Sequence, residues 1–408
     1  MKQELIEKYA ELVAKTGANV QPGQYVVIRT DVSQEYFASL VARECYKLGA
    51  KRVFVHWQSA KLTSVDYNEA KEENLYEVPS FEEECQAFMA KHTPILIWID
   101  ADDPDGMKDL DSAKMARVKA EKYKVIGKYV EARQDQAQWC ICGYPSKAWA
   151  EKVFPQYKGE EAMEHLLEAI LETSRALDGN GIENWKRHEE DLKKRCAHLN
   201  SLKLRKLHYT SKKGTDFTVG LIPDVIFLGG GERGKNGFFF QPNIPSEECF
   251  TSPKRGEAEG IVYASKPLVY QGKVIENFSI RFHEGKAVEV HAEKNEDVLK
   301  SILSLDEGAS YLGECALVPF DSPINNTGLL FFNTLYDENA SCHLAIGRGF
   351  NSLVPGYENM SDDELFKLGI NRSMSHVDFM IGDETLSIVG TTEEGKEVQI
   401  FKDGNWAF

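Results

Sequence analysis

The segment Ser375-His376-Val377-Asp378 has the clearest arrangement for metal chemistry, and it is followed by an apolar run. This pattern predicts the start of a strand, in which residues two apart point to the same face of a sheet. His376 and Asp378 would then present an imidazole and a carboxylate side by side, as a divalent metal ion requires. The alternative interpretation is a solvated polar pair at a strand edge.

A second segment, Asp337 to His343, places carboxylates in a turn that leads into a histidine. Such a turn can bring metal ligands to the start of an element, but it also fits a helix N-terminus. In that case Asp337 or Ser341 would cap the helix, and Glu338 would complement the helix dipole. His343 is followed by apolar residues, so it is either a hydrogen-bonded core histidine or a ligand.

Two further segments place carboxylates next to apolar residues. Glu314 lies within Leu312–Val318, a predicted strand, and a buried carboxylate needs a partner such as arginine, lysine or a metal ion. Glu247 and Glu248 close a proline-containing loop just before an apolar pair. Because adjacent strand residues face opposite ways, only one of them can face a common site. We predict Glu248 as a metal ligand and Glu247 as the candidate general base.

Three cysteines, Cys249, Cys315 and Cys342, directly follow or precede these candidate ligands in the chain. Thiolates are good zinc ligands, so the cysteines could in principle belong to the site. On a strand, however, each would point away from the face of its neighbour, and a free cysteine packs as a small apolar side chain. We therefore predict that all three pack in the core.

The first half of the chain alternates helix and strand, which predicts an α/β domain with a parallel sheet. An opening amphipathic helix precedes the first strand, and Ser33 is the predicted cap of the next helix, which ends at Gly49. Further helices are predicted around residues 111–122 and 159–176. The predicted strands are Gln24–Arg29, Arg52–Trp57, Pro94–Ile99 and Gln138–Cys142.

Beyond a charged helix predicted over Glu183–Lys203, the sequence changes to short alternating segments separated by glycine-containing turns. The turns Gln271-Gly272 and Glu284-Gly285 predict hairpins, and a helix is predicted over Asp297–Leu303. We predict a boundary near residue 190, with an α/β domain over residues 1–190 that could serve substrate access or dimer formation. Residues 191–408 would form an α+β domain of mostly antiparallel sheet that carries the metal site.

Composition excludes several classes of partner. The chain has 408 residues and a net charge of −16, which argues against nucleic acid and against an anionic membrane surface. No apolar run approaches the ~20 residues of a membrane span, and the charged N-terminus does not resemble a signal peptide. The eight cysteines are expected to be reduced thiols, so the predicted location is the cytoplasm.

Three long motifs resemble the thermophilic aminopeptidase family of metallopeptidases, the family of aminopeptidases T and S. The resemblance extends over essentially the whole chain, from the opening helix onward. It implies two divalent metal ions (zinc, cobalt, magnesium or manganese), short peptides with a free N-terminus as substrates, and a homodimer that encloses a cavity. The motifs are Asn243-Ile-Pro-Ser-Glu-Glu248, Gly328-Leu-Leu-Phe-Phe-Asn-Thr-Leu-Tyr-Asp-Glu-Asn-Ala-Ser-Cys-His343 and Asn371-Arg-Ser-Met-Ser-His-Val-Asp-Phe-Met-Ile-Gly382.

The resemblance also implies roles for individual residues. Glu314 would be a bridging ligand and therefore a catalytic residue, and the N-terminal residue of a peptide would be removed by a water that bridges the two ions. Glu338, the acid of the Asp-Glu-Asn turn, would complete the set. The implied metal ligands are Glu248, Glu314, Glu338, His343, His376 and Asp378.

The chain departs from the family pattern at one position. The family usually carries a tyrosine seven residues after the ligand histidine, and here that position is Phe350. A phenol there could bind metal or donate to an oxyanion, and loss of one oxyanion donor lowers turnover by about 10²–10³-fold. Either Tyr357 takes over this role, or the enzyme is slower, or the tyrosine is dispensable. Two alternatives stay open: another two-metal amidohydrolase, and a slow or inactive peptide-binding paralogue that retains the metals.

Overall fold

The computed structural model of the chain describes residues 2–134 and 136–408, which fall into two compact units. The first unit contains the chain up to Lys186 and the later segment Gly231–Pro245, and the second contains Arg187–Gly230 and Ser246–Phe408. The chain first passes from one unit to the other between Lys186 and Arg187, within the helix Gly181–Ser201. The boundary predicted near residue 190 lies in the same helix. The return of Gly231–Pro245 to the first unit was not predicted from the sequence.

The first unit is built on a sheet of five strands in which every neighbouring pair is parallel, as predicted. Four of the strands lie within two residues of their predicted bounds, and the fifth comes from the returning segment. A separate short ribbon pairs Glu232–Arg233 with Phe239–Phe240. In spatial order the five strands are Asn243–Ile244, Trp139–Gly143, Ile95–Asp100, Tyr25–Asp31 and Arg52–Gln58.

The helix Glu35–Lys47 buries the apolar face that its spacing predicts, and Gly49 follows its end with a φ of 91°. The prediction that Ser33 caps this helix is wrong. A 3₁₀ turn, Val32–Gln34, precedes the helix, and the Asp31 carboxylate accepts a hydrogen bond from the Ser33 backbone N–H at 2.9 Å. The other helical segments that begin before residue 187 are Lys2–Leu12, the π turn Val13–Gly17, Ala60–Glu69, Glu72–Leu75, Ser80–His92, Ser112–Arg133, Lys147–Val153, Gly159–Thr173 and Gly181–Ser201.

The second unit contains two antiparallel sheets, which confirms the predicted α+β character. The larger sheet has nine strands, and the predicted hairpin turns Gln271-Gly272 and Glu284-Gly285 connect three of them in left-handed conformations. Its strands are Leu204–Thr210, Asp216–Leu221, Pro253–Tyr263, Leu268–Tyr270, Lys273–His283, Lys286–Lys294, Ser387–Thr392, Glu397–Lys402 and Asn405–Trp406.

The smaller sheet carries most of the candidate ligands. One of its faces packs into a core that the larger sheet shares, with Cys315, Leu344 and Phe379 among the residues buried there. Alternate residues of the same strands therefore project from the opposite face, which we call the site face. In spatial order the strands are His376–Met380, His343–Gly347, Leu312–Leu317, Cys249–Thr251 and Leu228–Gly229.

Short helices connect these strands, and the helix predicted over Asp297–Leu303 is present one residue longer. Among the described residues, no helix has the length and apolar character needed to cross a membrane. The remaining helical segments are Glu296–Leu303, Pro323–Asn326, Thr334–Asp337 and Asp362–Leu368, with 3₁₀ turns at Gly308–Ser310, Glu338–Ala340, Asn351–Leu353 and Tyr357–Asn359.

Candidate metal centre

The register of the smaller sheet places two carboxylates on either side of one small residue. Ala345 of the middle strand pairs with Glu314 on one neighbouring strand and with Asp378 on the other. Directly opposed residues in antiparallel strands point to the same face. Both carboxylates therefore lie on the site face, with only the small Ala345 side chain between them on the middle strand.

Strand periodicity brings the two histidines to the same face. His376 lies two residues before Asp378 and pairs with Gly347, while His343 lies two residues before Ala345. Gly347 has a φ of 106°, and a Cβ there would lie 2.2 Å from the Ser375 carbonyl oxygen, so the backbone at this position requires glycine.

Two groups of potential ligands share one carboxylate. In each group the ligand atoms lie within 4.8 Å of one another: Glu248, Glu314 and His343 form one, and Glu314, His376 and Asp378 form the other. His343 Nε2 lies 3.2 Å from a Glu248 oxygen, and His376 Nε2 lies 3.0 Å from a Glu314 oxygen. Glu314 is thus positioned to serve both groups.

Backbone carbonyls orient both histidines. Nδ1 of His343 lies 3.2 Å from the Ser341 carbonyl oxygen, and Nδ1 of His376 lies 2.7 Å from that of Arg348. A carbonyl oxygen can only accept, so each Nδ1 carries the proton and donates it. When the imidazoles are neutral, as metal binding requires, each Nε2 offers its lone pair to the site, which is the arrangement found for metal-bound histidines.

The electrostatics of the site are dominated by crowded negative charge. Burial, together with the charges of Glu248 and Asp378, raises the pKa of Glu314 to about 7. Burial and the same two neighbours raise the pKa of Glu338 well above its usual range. Burial alone would lower the pKa of His343, but its pairing with Glu248 and the other nearby carboxylates raise it to about 10. The site therefore attracts positive charge strongly.

The residues fit divalent metal ions. Asp378 Oδ1 is buried and accepts no hydrogen bond from any described residue, although it lies 3.2 Å from His376 Nε2. A buried carboxylate oxygen is costly unless it is paired with a cation, and here either protonated His376 or a metal ion would supply that charge. When all four are ionised, the carboxylates of Glu248, Glu314, Glu338 and Asp378 would carry four negative charges, which two divalent ions would balance. Carboxylate oxygens and imidazole nitrogens are also the donors that zinc, cobalt and manganese accept.

Comparison with known proteins decides the family. A family model described as thermophilic metalloprotease (M29) matches residues 2–406. The chain belongs to the M29 metalloprotease family. It is 40% identical to aminopeptidase AmpS of Bacillus subtilis over 99% of this chain and 98% of that protein. It is 37% identical to aminopeptidase 2 of Geobacillus stearothermophilus over the same shares. The solved structure of wild-type AmpT from Thermus thermophilus matches with a TM-score of 0.91 at 35% identity, covering 100% of both chains.

The two remaining acids predicted for this M29 site lie outside both ligand groups. Glu338 begins the 3₁₀ turn that precedes the His343 strand, and its carboxylate lies 3.4 Å from the Asn339 amide nitrogen. Glu247 is buried, and one of its oxygens lies 3.8 Å from Nε2 of His188. The assignments of Glu338 as a ligand and of Glu247 as general base stay predictions.

The three cysteines next to the ligands pack in the core, as predicted. Cys249, Cys315 and Cys342 are fully or almost fully buried among apolar residues, and they are free thiols. Burial raises the pKa of the Cys315 and Cys342 thiols, which opposes thiolate formation. Neither ligand group found among the described residues contains a cysteine.

The aromatic ring of Phe350 borders the M29 site. It lies 5.1 Å from the imidazole of His376 and 5.4 Å from the ring of Phe250, centroid to centroid, and its side chain is 36% exposed. Tyr357, the suggested substitute for a family tyrosine, packs against a small apolar cluster that includes Val354 and Leu365. Phe350, rather than Tyr357, is thus the residue whose ring contacts a candidate ligand, His376.

Sequence reasoning missed the residue that connects two ligand segments. The side chain of Asn339 is buried; its oxygen accepts a hydrogen bond from the Glu247 backbone N–H at 2.8 Å, and its amide donates to the Leu335 carbonyl at 3.0 Å. This bridge fixes the chain just before Glu248 relative to the turn that carries Glu338. In the sequence, the signal for this role is the position of Asn339 within the acidic turn Asp337–His343. No separate role for Asn339 in that turn is predicted from the sequence.

Proposed function

We propose that this chain is a metal-dependent aminopeptidase that removes the N-terminal residue from short peptides with a pair of divalent metal ions. The observation that carries the proposal is the sharing of Glu314 between two groups of potential ligands. Membership of a metalloprotease family supports the hydrolytic chemistry, and the names of the relatives support the aminopeptidase specificity.

In this proposal Glu314 would be shared by the two ions, Glu248 and His343 would help to hold one of them, and His376 and Asp378 would help to hold the other. Glu338 is the sixth proposed ligand, because its carboxyl is close enough for the charges of Glu248 and Asp378 to raise its pKa. When bound, such a pair of ions would supply Lewis acidity that activates a water and polarises the scissile carbonyl.

The protein residues have separate tasks. Carbonyl groups hold both imidazoles with Nε2 directed at the site, so the ligands need little reorganisation when the ions bind. Glu247 is the proposed group that moves a proton from the attacking water to the leaving amine. The imidazole of His188 lies 3.8 Å from the Glu247 carboxylate, but its Nε2 donates a hydrogen bond to the Ser246 carbonyl at 2.7 Å, so His188 helps to position the chain next to Glu247.

Specificity for an N-terminus follows from charge. A free α-amine brings a positive charge or a metal-binding lone pair to a site rich in carboxylates, and an acylated amine brings neither. The proposal predicts that metal-loaded protein hydrolyses leucine p-nitroanilide but not its N-acetyl derivative. Equal rates on the two substrates would sink the aminopeptidase assignment and favour another two-metal amidohydrolase.

A second candidate function is supported by Phe350, which occupies the border of the site without a hydroxyl. A paralogue that retains the metals and binds peptides, but cleaves them slowly or not at all, would fit this substitution. Loading with zinc or cobalt and measuring both peptide affinity and turnover separates the two, since the second candidate predicts binding with little product. The homodimer and the cytoplasmic location stay predictions.

A further inference from the structure

The parallel sheet of the first unit has a topological switch point. The strand Tyr25–Asp31 lies between Arg52–Gln58, the next strand in the chain, and Ile95–Asp100, the one after that. The chain therefore goes from the first strand to its neighbour on one side and then returns past the first strand to the neighbour on the other side. In open parallel sheets, ligands bind at the carboxyl ends of the strands that flank such a point.

Three side chains with ligand-binding chemistry share one face of the sheet near this point. Arg29 pairs in register with His56 on one neighbouring strand and with Trp98 on the other. Each lies in the carboxyl-terminal half of its strand. The Arg29 guanidinium lies 5.9 Å from the centroid of the Trp98 ring, within the range of a cation–π contact.

Two helices add groups to the same place. From Ser80–His92 comes Cys85, whose sulfur lies 3.9 Å from Nε2 of His56. From Ser112–Arg133 comes Arg133, whose guanidinium donates to the Gln86 side-chain oxygen at 2.8 Å. We call Arg29, His56, Cys85, Trp98 and Arg133 the arginine cluster; all five side chains are partly exposed to solvent.

The positive charge of the arginine cluster is not neutralised by the described part of the chain. Neither Arg29 nor Arg133 forms an ion pair with a described carboxylate, and the Asp31 carboxylate accepts a hydrogen bond from the Ser33 backbone instead. Burial and the charge of Arg29 lower the pKa of Arg133. In a chain with 64 acidic and 48 basic residues, two guanidiniums whose charges interact, and which have no ion-pair partner among the described residues, are unexpected.

We propose that the arginine cluster binds a phosphate group. Two guanidiniums carry two positive charges, which match the dianion of phosphate, and their planar N–H groups bind its oxygens in pairs. Neutral His56 offers a further hydrogen bond without adding charge. The same chemistry would accept free phosphate or the phosphate of a monoester, and the arginine cluster shares no residue with the proposed metal centre.

The test is calorimetric titration of the metal-loaded full-length protein with inorganic phosphate. Replacing Arg29 or Arg133 by glutamine should weaken binding by roughly tenfold or more, because each variant removes a charge-assisted contact. Arg52→Gln is the matched control: it makes the same charge change on the same sheet, at the amino end of its strand, and should leave the affinity unchanged. Equal affinities for all four proteins would overturn the proposal.

Further titrations distinguish phosphate binding at the arginine cluster from phosphate binding at the metal centre and from nonspecific anion binding. Glu314→Gln should bind phosphate at the arginine cluster as tightly as the parent; loss of binding in this variant alone would place the phosphate at the metal centre and refute the proposal. Glycerol phosphate tests the monoester and acetate tests a monoanion, and acetate that binds as tightly as phosphate would also refute it. If Arg29→Gln fails to fold, Arg29→Lys, which keeps the charge but loses the paired N–H groups, should still weaken binding.

Cys85 provides an independent readout. It is partly exposed, whereas the other seven cysteines are buried, so iodoacetamide should modify it first. Bound phosphate should slow this alkylation at least several-fold in the parent protein and not in Arg133→Gln, as measured by mass spectrometry. Alkylation that phosphate slows equally in both proteins would contradict the assignment.

Discussion

Replacing Phe350 by tyrosine would add one hydroxyl at the border of the proposed metal centre. The Phe350 ring already contacts the ring of His376, with 5.1 Å between centroids, so the added hydroxyl would be carried by a ring that touches a candidate ligand. The side chain is 36% exposed, so the hydroxyl does not have to be buried without a partner. We therefore expect a change in unfolding free energy within about 0.5 kcal/mol, as for other surface substitutions.

The effect on rate should be much larger than the effect on stability. If the hydroxyl donates to the oxyanion that develops on the scissile carbonyl, kcat should rise by about 10²–10³-fold, the magnitude of one oxyanion donor. KM should change little, because the interaction is made only in the transition state. Bound metal should stay the same, since the proposed ligands are not altered.

The assay is steady-state hydrolysis of leucine p-nitroanilide by parent and variant loaded with the same metal. Two controls isolate the hydroxyl: Phe350→Leu removes the ring without adding oxygen, and Phe250→Tyr adds a hydroxyl to the neighbouring ring at 5.4 Å. Neither should raise kcat. An unchanged kcat in Phe350→Tyr, with its metal content intact, would refute the reasoning that this site lacks an oxyanion donor.

Three further predictions concern the metals and their surroundings. Removal of metal by EDTA should lower the unfolding temperature and zinc should restore it, because ions at 100 times their Kd stabilise a protein by about 2.7 kcal/mol per site; melting curves unaffected by EDTA would contradict bound metal. Ala345→Leu would place a larger side chain between Glu314 and Asp378, so it should lower the metal content and reduce kcat/KM at least tenfold. The control is Ile346→Val on the core face of the same strand, which should reduce only the unfolding free energy, by about 0.5–1.5 kcal/mol. Cys315→Ala should lower stability by roughly 1 kcal/mol and leave the metal content unchanged; loss of metal would make this cysteine a ligand.

Local periodicity explains what could be predicted from the sequence. His376 and Asp378 are two residues apart in a strand, so the chain alone places them on one face, and Glu314 in an apolar strand needed a partner. The α/β half was predictable for a similar reason, because buried parallel strands alternate with amphipathic helices. These inferences depend on residues that are close together in the sequence.

The rest depends on pairings between distant segments. Nothing local indicates that Ala345 lies between two ligands, because its position follows from the register of three strands. The strand Asn243–Ile244 is only two residues long, so its sequence carries little signal. It adds a fifth strand to the first sheet by pairing with Trp139–Gly143, which lies about 100 residues earlier in the chain. Asn339 has its role only because a backbone N–H more than 90 residues away meets its side chain.

The most direct test of the proposed metal centre is the number of metal ions per chain in parent protein and Glu314→Ala, measured by inductively coupled plasma mass spectrometry after loading with zinc and dialysis. A carboxylate that serves both ligand groups predicts two ions in the parent and one or fewer in the variant, with aminopeptidase activity abolished. Two ions retained by Glu314→Ala would contradict the bridging role of Glu314.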